Sequence, residues 1–324
     1  MKIYRSLAEV PADFGPSALT IGNFDGVHAG HRRILRRLKE LADARGWKPS
    51  ALTFDPHPLR VVAPDRAPLL MTSPERRAEL MAEEGIQQVV ILPFTAELSR
   101  LAPEDFVRSI VVGRLGARAV LVGDNFRFGH RHAGDVRLLE ELGRRFGFIT
   151  EVVRAVEARG GIVSSSRIRD VIRAGDAALA SRLLEHAFAL EGDVVRGRGV
   201  GSKETVPTLN LAPAAELLPA TGVYVTRTTD LEAPERSWDS ITNVGYRPTF
   251  GASEDLSVET FLLTPMDGEA PRRIRVEFLW RVREERKFVS AEALRERILK
   301  DAAAARRYFR RTRAWIGQVP CASS

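Results

Sequence analysis

Four short runs of almost wholly apolar residues, at positions 18–21, 50–54, 88–92 and 119–122, constrain the first half of this chain more than any other feature. They lack the apolar-polar alternation of a half-exposed strand, so each reads as a strand buried on both faces. Helical segments separate them. After the first run, Ile34, Leu35, Leu38 and Leu41 recur at helical spacing. Residues 74–84 and 103–114 each carry a proline in the first turn, where its missing N–H costs no hydrogen bond. Strands alternating with helices predict a parallel sheet covered on both sides, an α/β Rossmann-like fold.

The pattern changes near residue 186. Short strand candidates follow at 188–195, 222–229, 240–244, 256–263 and 273–279, separated by turns containing Gly, Pro and Asp, which predicts a β-barrel or sandwich. A charged helix with Leu294, Ile298 and Phe309 on its apolar side closes the chain. The predicted domains are therefore 1–185 and 186–324, and 324 residues suit two cores. A hydrophobic share of 44% and a charged share of 28% are those of a globular protein.

The first site candidate is His28-Ala29-Gly30-His31, at the junction of the first strand with its helix. Open parallel sheets bind ligands at such strand ends. Gly30 lets a phosphate approach the backbone, the helix N-terminus attracts anions, and two imidazoles three residues apart can donate to a polyphosphate. These groups would stabilise charge developing on an α-phosphate as pyrophosphate leaves. Further on, Ser164-Ser165-Ser166-Arg167-Ile168-Arg169 precedes a helical stretch and offers hydroxyls and guanidinium groups to the same kind of anion.

Together with Gly22-Asn23-Phe24-Asp25-Gly26-Val27 leading into the histidines, Thr53-Phe54-Asp55-Pro56-His57-Pro58 and Gly123-Asp124-Asn125-Phe126-Arg127-Phe128-Gly129, these blocks resemble the successive signatures of the bacterial bifunctional riboflavin kinase/FMN adenylyltransferases. The resemblance implies that this half is an HxGH nucleotidyltransferase that transfers AMP from ATP to FMN. It makes His28, His31 and Arg169 catalytic, with Ser164 and Arg169 in a second phosphate clamp. It assigns substrate or nucleotide binding to Gly22, Asn23, Phe24, Asp25, Gly30, His57, Asn125, Arg127, Ser164, Ser165 and Arg167. For Asp25 and His57, a structural place at strand ends is the alternative.

In the second half, Thr208 and Asn210 lie two residues apart, so on an extended strand they share one side. Both carry hard oxygen donors suited to Mg²⁺ and ATP phosphates. The glycines of Gly197-Arg198-Gly199-Val200-Gly201 can present backbone amides to phosphate. The resemblance continues through Pro207-Thr208-Leu209-Asn210, Thr221-Gly222-Val223-Tyr224, Asn243-Val244-Gly245-Tyr246-Arg247-Pro248-Thr249-Phe250 and Val258-Glu259-Thr260-Phe261. It implies a six-stranded riboflavin kinase barrel with Glu259 as general base, Thr208 and Asn210 as the Mg²⁺-ATP ligands, and Arg247 at the substrate.

The chain departs from that family before Pro207, where residues 202–206 lack an arginine, a glycine and an aromatic. Lys203 is the substitute positive charge, and Phe261 stands where the family has a histidine. The late basic segment at 281–288 and Asp301 are retained.

The resemblance thus predicts ATP, riboflavin and FMN as substrates, FAD as a product, and Mg²⁺ as cofactor. The altered loop leaves open a second reading, an adenylyltransferase whose barrel has little kinase activity. A third is a basic RNA-associated protein, since the net charge is +7 and residues 306–313 are rich in arginine. The even scatter of charge elsewhere favours a solvated helical face for that run. A different HxGH nucleotidyltransferase would leave the second half unexplained. The single cysteine, Cys321, permits no internal disulfide, no signal-peptide core follows Met1, and no apolar run is long enough to cross a membrane. A cytoplasmic enzyme is expected, with a homo-oligomer left open.

Overall fold

The computed structural model describes residues 1–195, 208–213, 216–246, 256–286 and 288–316. These divide into two compact units, Met1–Ser165 and Ser166–Ser324.

In the first unit, β1 (Lys2–Tyr4), β2 (Ser17–Ile21), β3 (Lys48–Asp55), β4 (Gln88–Pro93), β5 (Ala117–Gly123) and β6 (Ile149–Val153) form a parallel sheet in the order β1-β4-β3-β2-β5-β6. The four predicted strands are its interior four. The two that the sequence pattern missed, β1 and β6, are the edges, and both leave side chains exposed.

Helices α1 (Ala29–Arg45), α2 (Pro58–Val62), α3 (Pro74–Glu83), α4 (Ala96–Ser99), α5 (Pro103–Phe106) and α6 (Val136–Phe146) connect these strands. The helix expected over 103–114 starts as α5 and continues with π-helical geometry through Val107–Val112.

Alternation along each strand divides its apolar side chains between two cores. On one face Ala18, Ala51, Val89 and Leu121 pack with Ile34, Leu35 and Leu38 of α1 and with Leu80 and Met81 of α3. On the other, Leu19, Ile21, Leu52 and Val120 pack with Phe106, Ile110 and Leu142. From β2 the chain builds outward through β3 and β4, then returns to place β5 on the other side of β2. The order reverses there, which opens a crevice between the carboxyl ends of β2 and β5.

The second unit takes in most of α7 (Ser165–Arg173) and then α8 (Ala177–Leu184). The division thus precedes the boundary expected at 185/186, and α8 packs on strands of the barrel. Those strands are β7 (Phe188–Val195), β8 (Thr208–Pro213), β9 (Gly222–Asp230), β10 (Ser237–Tyr246), β11 (Leu256–Leu262) and β12 (Arg273–Glu284). They close a barrel in the order β10-β11-β8-β7-β12-β9, with every neighbouring pair antiparallel. This selects the barrel over the sandwich.

The last helix, α9 (Ala291–Ile316), covers the outer face of the barrel, where Ala305 and Phe309 meet Val223, Val225 and Ile241. The apolar side is not quite the one expected. Leu294 is exposed, and Ala302 is buried with Ala305 and Phe309. Asp301 fixes the helix between Arg283 of β12 at 2.8 Å and Arg297 at 2.9 Å. Arg306, Arg307, Arg310 and Arg311 face solvent, as the charged-face reading expects.

Part of the barrel interior is polar. The fully buried hydroxyls of Thr228, Ser240, Thr226, Thr242 and Thr260 form a chain with successive separations of 2.8, 2.8, 2.7 and 2.9 Å. Each satisfies its neighbour, as burial requires. Replacing a middle member leaves partners on both sides wanting, so Thr242→Val is expected to destabilise the barrel by about 1–3 kcal/mol. Urea unfolding of the intact chain checks this, with a lowered midpoint for the barrel transition as the expected result.

Candidate functional site

The loop from β2 into α1 is held in backbone conformations that most residues avoid. Phe24 has φ 50°, Gly26 φ 79° and Val27 φ 37°. For the β-branched Val27 this is a genuine outlier, and such residues typically cost about 1–3 kcal/mol each and persist only where their surroundings fix them.

The loop delivers His28 as the N-cap of α1, where its Nδ1 accepts from the His31 amide at 3.4 Å. The two imidazoles stack, with centroids 3.7 Å apart and planes 16° from parallel, and Phe24 meets His31 edge-on at 5.1 Å. Gly30 makes room for this arrangement. A Cβ there would lie 3.2 Å from both Cε1 and Nδ1 of His28.

The Nδ1 of His31 is shielded from solvent and has no hydrogen-bond partner among the described residues. Burial first, and the neighbouring His28 second, push the His31 pKa well below 6.5. His31 is therefore a neutral donor at pH 7. Behind it lies the positive end of the 17-residue helix α1. The cluster suits an anion that gains charge as it reacts.

Other predicted residues gather around this point. Gly22 continues the sheet through its amide, which donates to Leu52 at 3.1 Å. The side chain of Asn23 lies 3.1 Å from His57 Nε2, and His57 Nδ1 accepts from the Leu59 amide at 3.2 Å to cap α2.

Ser165 donates from Oγ to the Asp25 carbonyl at 3.1 Å, which brings the serine segment to the loop, and Ser164 precedes it half-buried. Asn125 lies at the end of β5, across the crevice from β2. A Cβ on Gly123 would stand 3.3 Å from its Oδ1 and 3.9 Å from Ile34, one turn along α1 from His31.

Two further predicted residues make contacts of a different kind. Asp25 is buried and turns inward, accepting from the Met71 amide at 3.0 Å and from the Thr72 amide and hydroxyl at 3.1 Å each. This is the structural alternative, in which Asp25 pins residues 70–72 under the loop. Arg127 is exposed and donates to the carbonyl of Phe126 at 3.0 Å. Arg167 and Arg169 follow along α7 in the second unit, the latter buried.

In the second unit the register places Asn210, Glu259 and Asn243 directly across from one another on β8, β11 and β10. Cross-strand partners share a face, with Cβ atoms about 5 Å apart. Their neighbours Leu209, Thr260 and Thr242 point the other way, so this row lies on the outer face. Thr208 is opposite Phe261 on that same face. Phe261 joins the apolar cluster under α9, so the aromatic at the family's histidine position has a packing role.

Asn243 is not among the predicted site residues, and the strand register brings it beside Glu259. Composition does not reveal that register. Gly197, Gly199, Gly201, Lys203 and Arg247 lie outside the described residues.

Among the described residues no group of three or more His, Cys, Asp or Glu side chains could hold a metal ion, and no helix is long and apolar enough to cross a membrane.

The first half matches the FAD synthetase family over residues 10–167, and the second matches riboflavin kinase over residues 184–309. A bifunctional riboflavin kinase/FMN adenylyltransferase of Pseudomonas fluorescens is 36% identical over 306 residues, covering 94% of this chain and 97% of that protein. Its counterpart in Escherichia coli K12 is 33% identical, covering 95% and 98%. The chain belongs to the bifunctional riboflavin kinase/FMN adenylyltransferase family, with both of its domains. The crystal structure of a macrolide-efflux protein from Streptococcus pneumoniae shares the fold, with a TM-score of 0.81 at 24% identity over 94% of this chain and 98% of that one.

The depressed His31 pKa makes stability depend on pH. Between its folded pKa and the unfolded value near 6.5 the unfolded chain binds more protons, so stability falls as pH drops through that window and is unaffected above it. Urea midpoints recorded from pH 8 down to pH 5 are expected to fall for the wild type and to fall less for His31→Gln.

Proposed function

We propose that this chain phosphorylates riboflavin to FMN with ATP and then adenylylates FMN to FAD, releasing pyrophosphate. The observation that carries the adenylyl step is the stacked His28–His31 pair at the N-terminus of α1, beside the reversal of strand order. A phosphate oxygen of FMN attacks the α-phosphorus of ATP, the new P–O–P bond forms, and the bond to pyrophosphate breaks. His28, neutral His31 and the first-turn amides of α1 take up the charge that develops. Asn23, His57 and Asn125 line the nucleotide and flavin-phosphate side in this reading, and Ser164 and Ser165 add hydroxyls.

For the kinase step Glu259 accepts the proton of the ribityl 5′-hydroxyl as that oxygen attacks the γ-phosphorus of ATP. The row Asn210–Glu259–Asn243 supports this assignment. The Thr208 hydroxyl and the Asn210 carboxamide are hard oxygen donors that fit Mg²⁺, whose remaining ligands would be phosphate oxygens and water; bound there, the ion neutralises charge on the transferring phosphoryl group. The functional division is proposed at 185/186, supported by a kinase match that begins at 184. A cytoplasmic site of action belongs to the same reading.

A chromatographic time course with riboflavin, ATP and Mg²⁺, run beside one started from FMN, is expected to give FMN followed by FAD. His31→Ala is expected to slow FAD formation by on the order of 10²-fold or more while riboflavin phosphorylation continues. Glu259→Gln should do the reverse, with a kinase loss of about 10²-fold. FAD from FMN with no product from riboflavin would sink the kinase assignment and leave the adenylyltransferase alone.

A further inference from the structure

Arg77, on α3, is the largest of the fully buried side chains among the described residues, at 1% exposure. An arginine in that position needs a reason, because its charge and five N–H donors lose their water. Its Nη1 donates to the Asn23 carbonyl at 2.8 Å, to Thr53 Oγ1 at 3.3 Å and to the Phe54 carbonyl at 3.4 Å. Thr53 Oγ1 itself donates to the same Asn23 carbonyl at 3.2 Å. One guanidinium thus ties the start of the β2–α1 loop to the end of β3.

Both tied segments lead into the candidate site. Asn23 immediately precedes Phe24, the first of the left-handed residues that bring His28 to the helix terminus, and its side chain reaches His57 beyond β3. Strained loops persist only when their surroundings hold them. Arg77 supplies that hold from beneath, without standing among the groups that would meet a substrate. Its Nε and Nη2 have no hydrogen-bond partner among the described residues, so structure alone does not use the whole fork. Burial lowers the pKa of the guanidinium, while Asp25, Asp55 and Glu75 oppose that shift and keep the charge tolerable inside the unit.

We infer that Arg77 is a positioning residue for adenylyl transfer, fixing the Asn23 carbonyl so that the loop holds the stacked histidines in place. The inference rests on the adenylyltransferase reading of that site. It says that Arg77 acts on the transition state through His28 and His31, and that ground-state binding of ATP does not depend on it.

The test uses the full chain with Arg77→Met and Arg77→Lys. The His130 and His132 imidazole signals, which come from the same unit as Arg77, serve as the measure of that unit's folding. Arg77→Met is expected to lower kcat and kcat/KM for FAD formation together, by on the order of 10²-fold, with KM for ATP unchanged. Arg77→Lys keeps one donor and the charge, and should recover part of kcat. In the imidazole proton NMR spectrum the His28, His31 and His57 signals should shift in Arg77→Met, while those of His130, His132 and His186 stay in place.

A Met variant with kcat within about twofold of wild type, or a loss appearing only in KM for ATP, overturns the inference. If Arg77→Met misfolds, seen as displaced His130 and His132 signals, Arg77→Lys decides: a partial loss of kcat supports the inference, and no loss, or a loss only in KM for ATP, overturns it. A wild type that makes no FAD refutes the proposed function instead, and the NMR shifts then judge Arg77 independently.

Discussion

The imidazole of His28 lies over the first turn of α1 because Gly30 has no side chain to displace it. From that one close approach follow the cap on the His31 amide, the parallel stack of the two rings and the desolvation of His31. Two imidazolium ions at this separation would repel each other in a medium poor in water, so the pair is kept from double protonation by its own geometry. The chemistry needed at an α-phosphate is hydrogen-bond donation, which a neutral imidazole can supply without a charge being buried first. The left-handed backbone of Phe24 and Val27 delivers the rings to this position, and the contacts of Asp25 and Arg77 beneath it keep that backbone from relaxing.

The barrel solves a different problem. A small closed barrel must fill its own interior, and here Phe188, Tyr224 and Phe278 fill one part while five hydroxyls fill another. The hydroxyl chain is anchored to the backbone where Ser240 Oγ donates to the Thr226 carbonyl at 2.9 Å; buried hydroxyls paired in this way gain little net stability over apolar groups of the same shape, but they penalise any arrangement that leaves one unmatched. Outside, α9 covers the strands beside the Glu259 row, and the ion pair from its Asp301 to Arg283 of β12 ties the helix to them.

The legible parts of this fold were those buried on both sides. β2, β3, β4 and β5 announced themselves as unbroken apolar runs, whereas β1 and β6 carry the mixed side chains of sheet edges and gave no such signal. The barrel strands were visible one at a time, but their order was not, because β8 pairs with β11 and β7 with β12 across long stretches of chain. At the first site the histidines and their glycine were readable from the strand-to-helix junction. The inward turn of Asp25 was not, since its partners Met71 and Thr72 are remote in sequence. Arg77 did leave a trace: it shares a helical stripe with Leu80 and Met81, where a polar residue is out of place.

The alternation of faces along β11 carries a rule of parity. Glu259 points outward and Thr260 inward, and each is matched across the barrel wall by residues of its own kind. Adding a single residue upstream of Glu259 within the paired segment would exchange the two faces, carrying a carboxylate into the hydroxyl-lined interior and a threonine out to the Asn210–Asn243 row. Adding two residues would restore the faces. β12 shows the alternative: its register against β9 shifts between Phe278 and Trp280 and again between Arg281 and Arg283, so single extra residues are taken up there as irregularities and the faces on either side are kept.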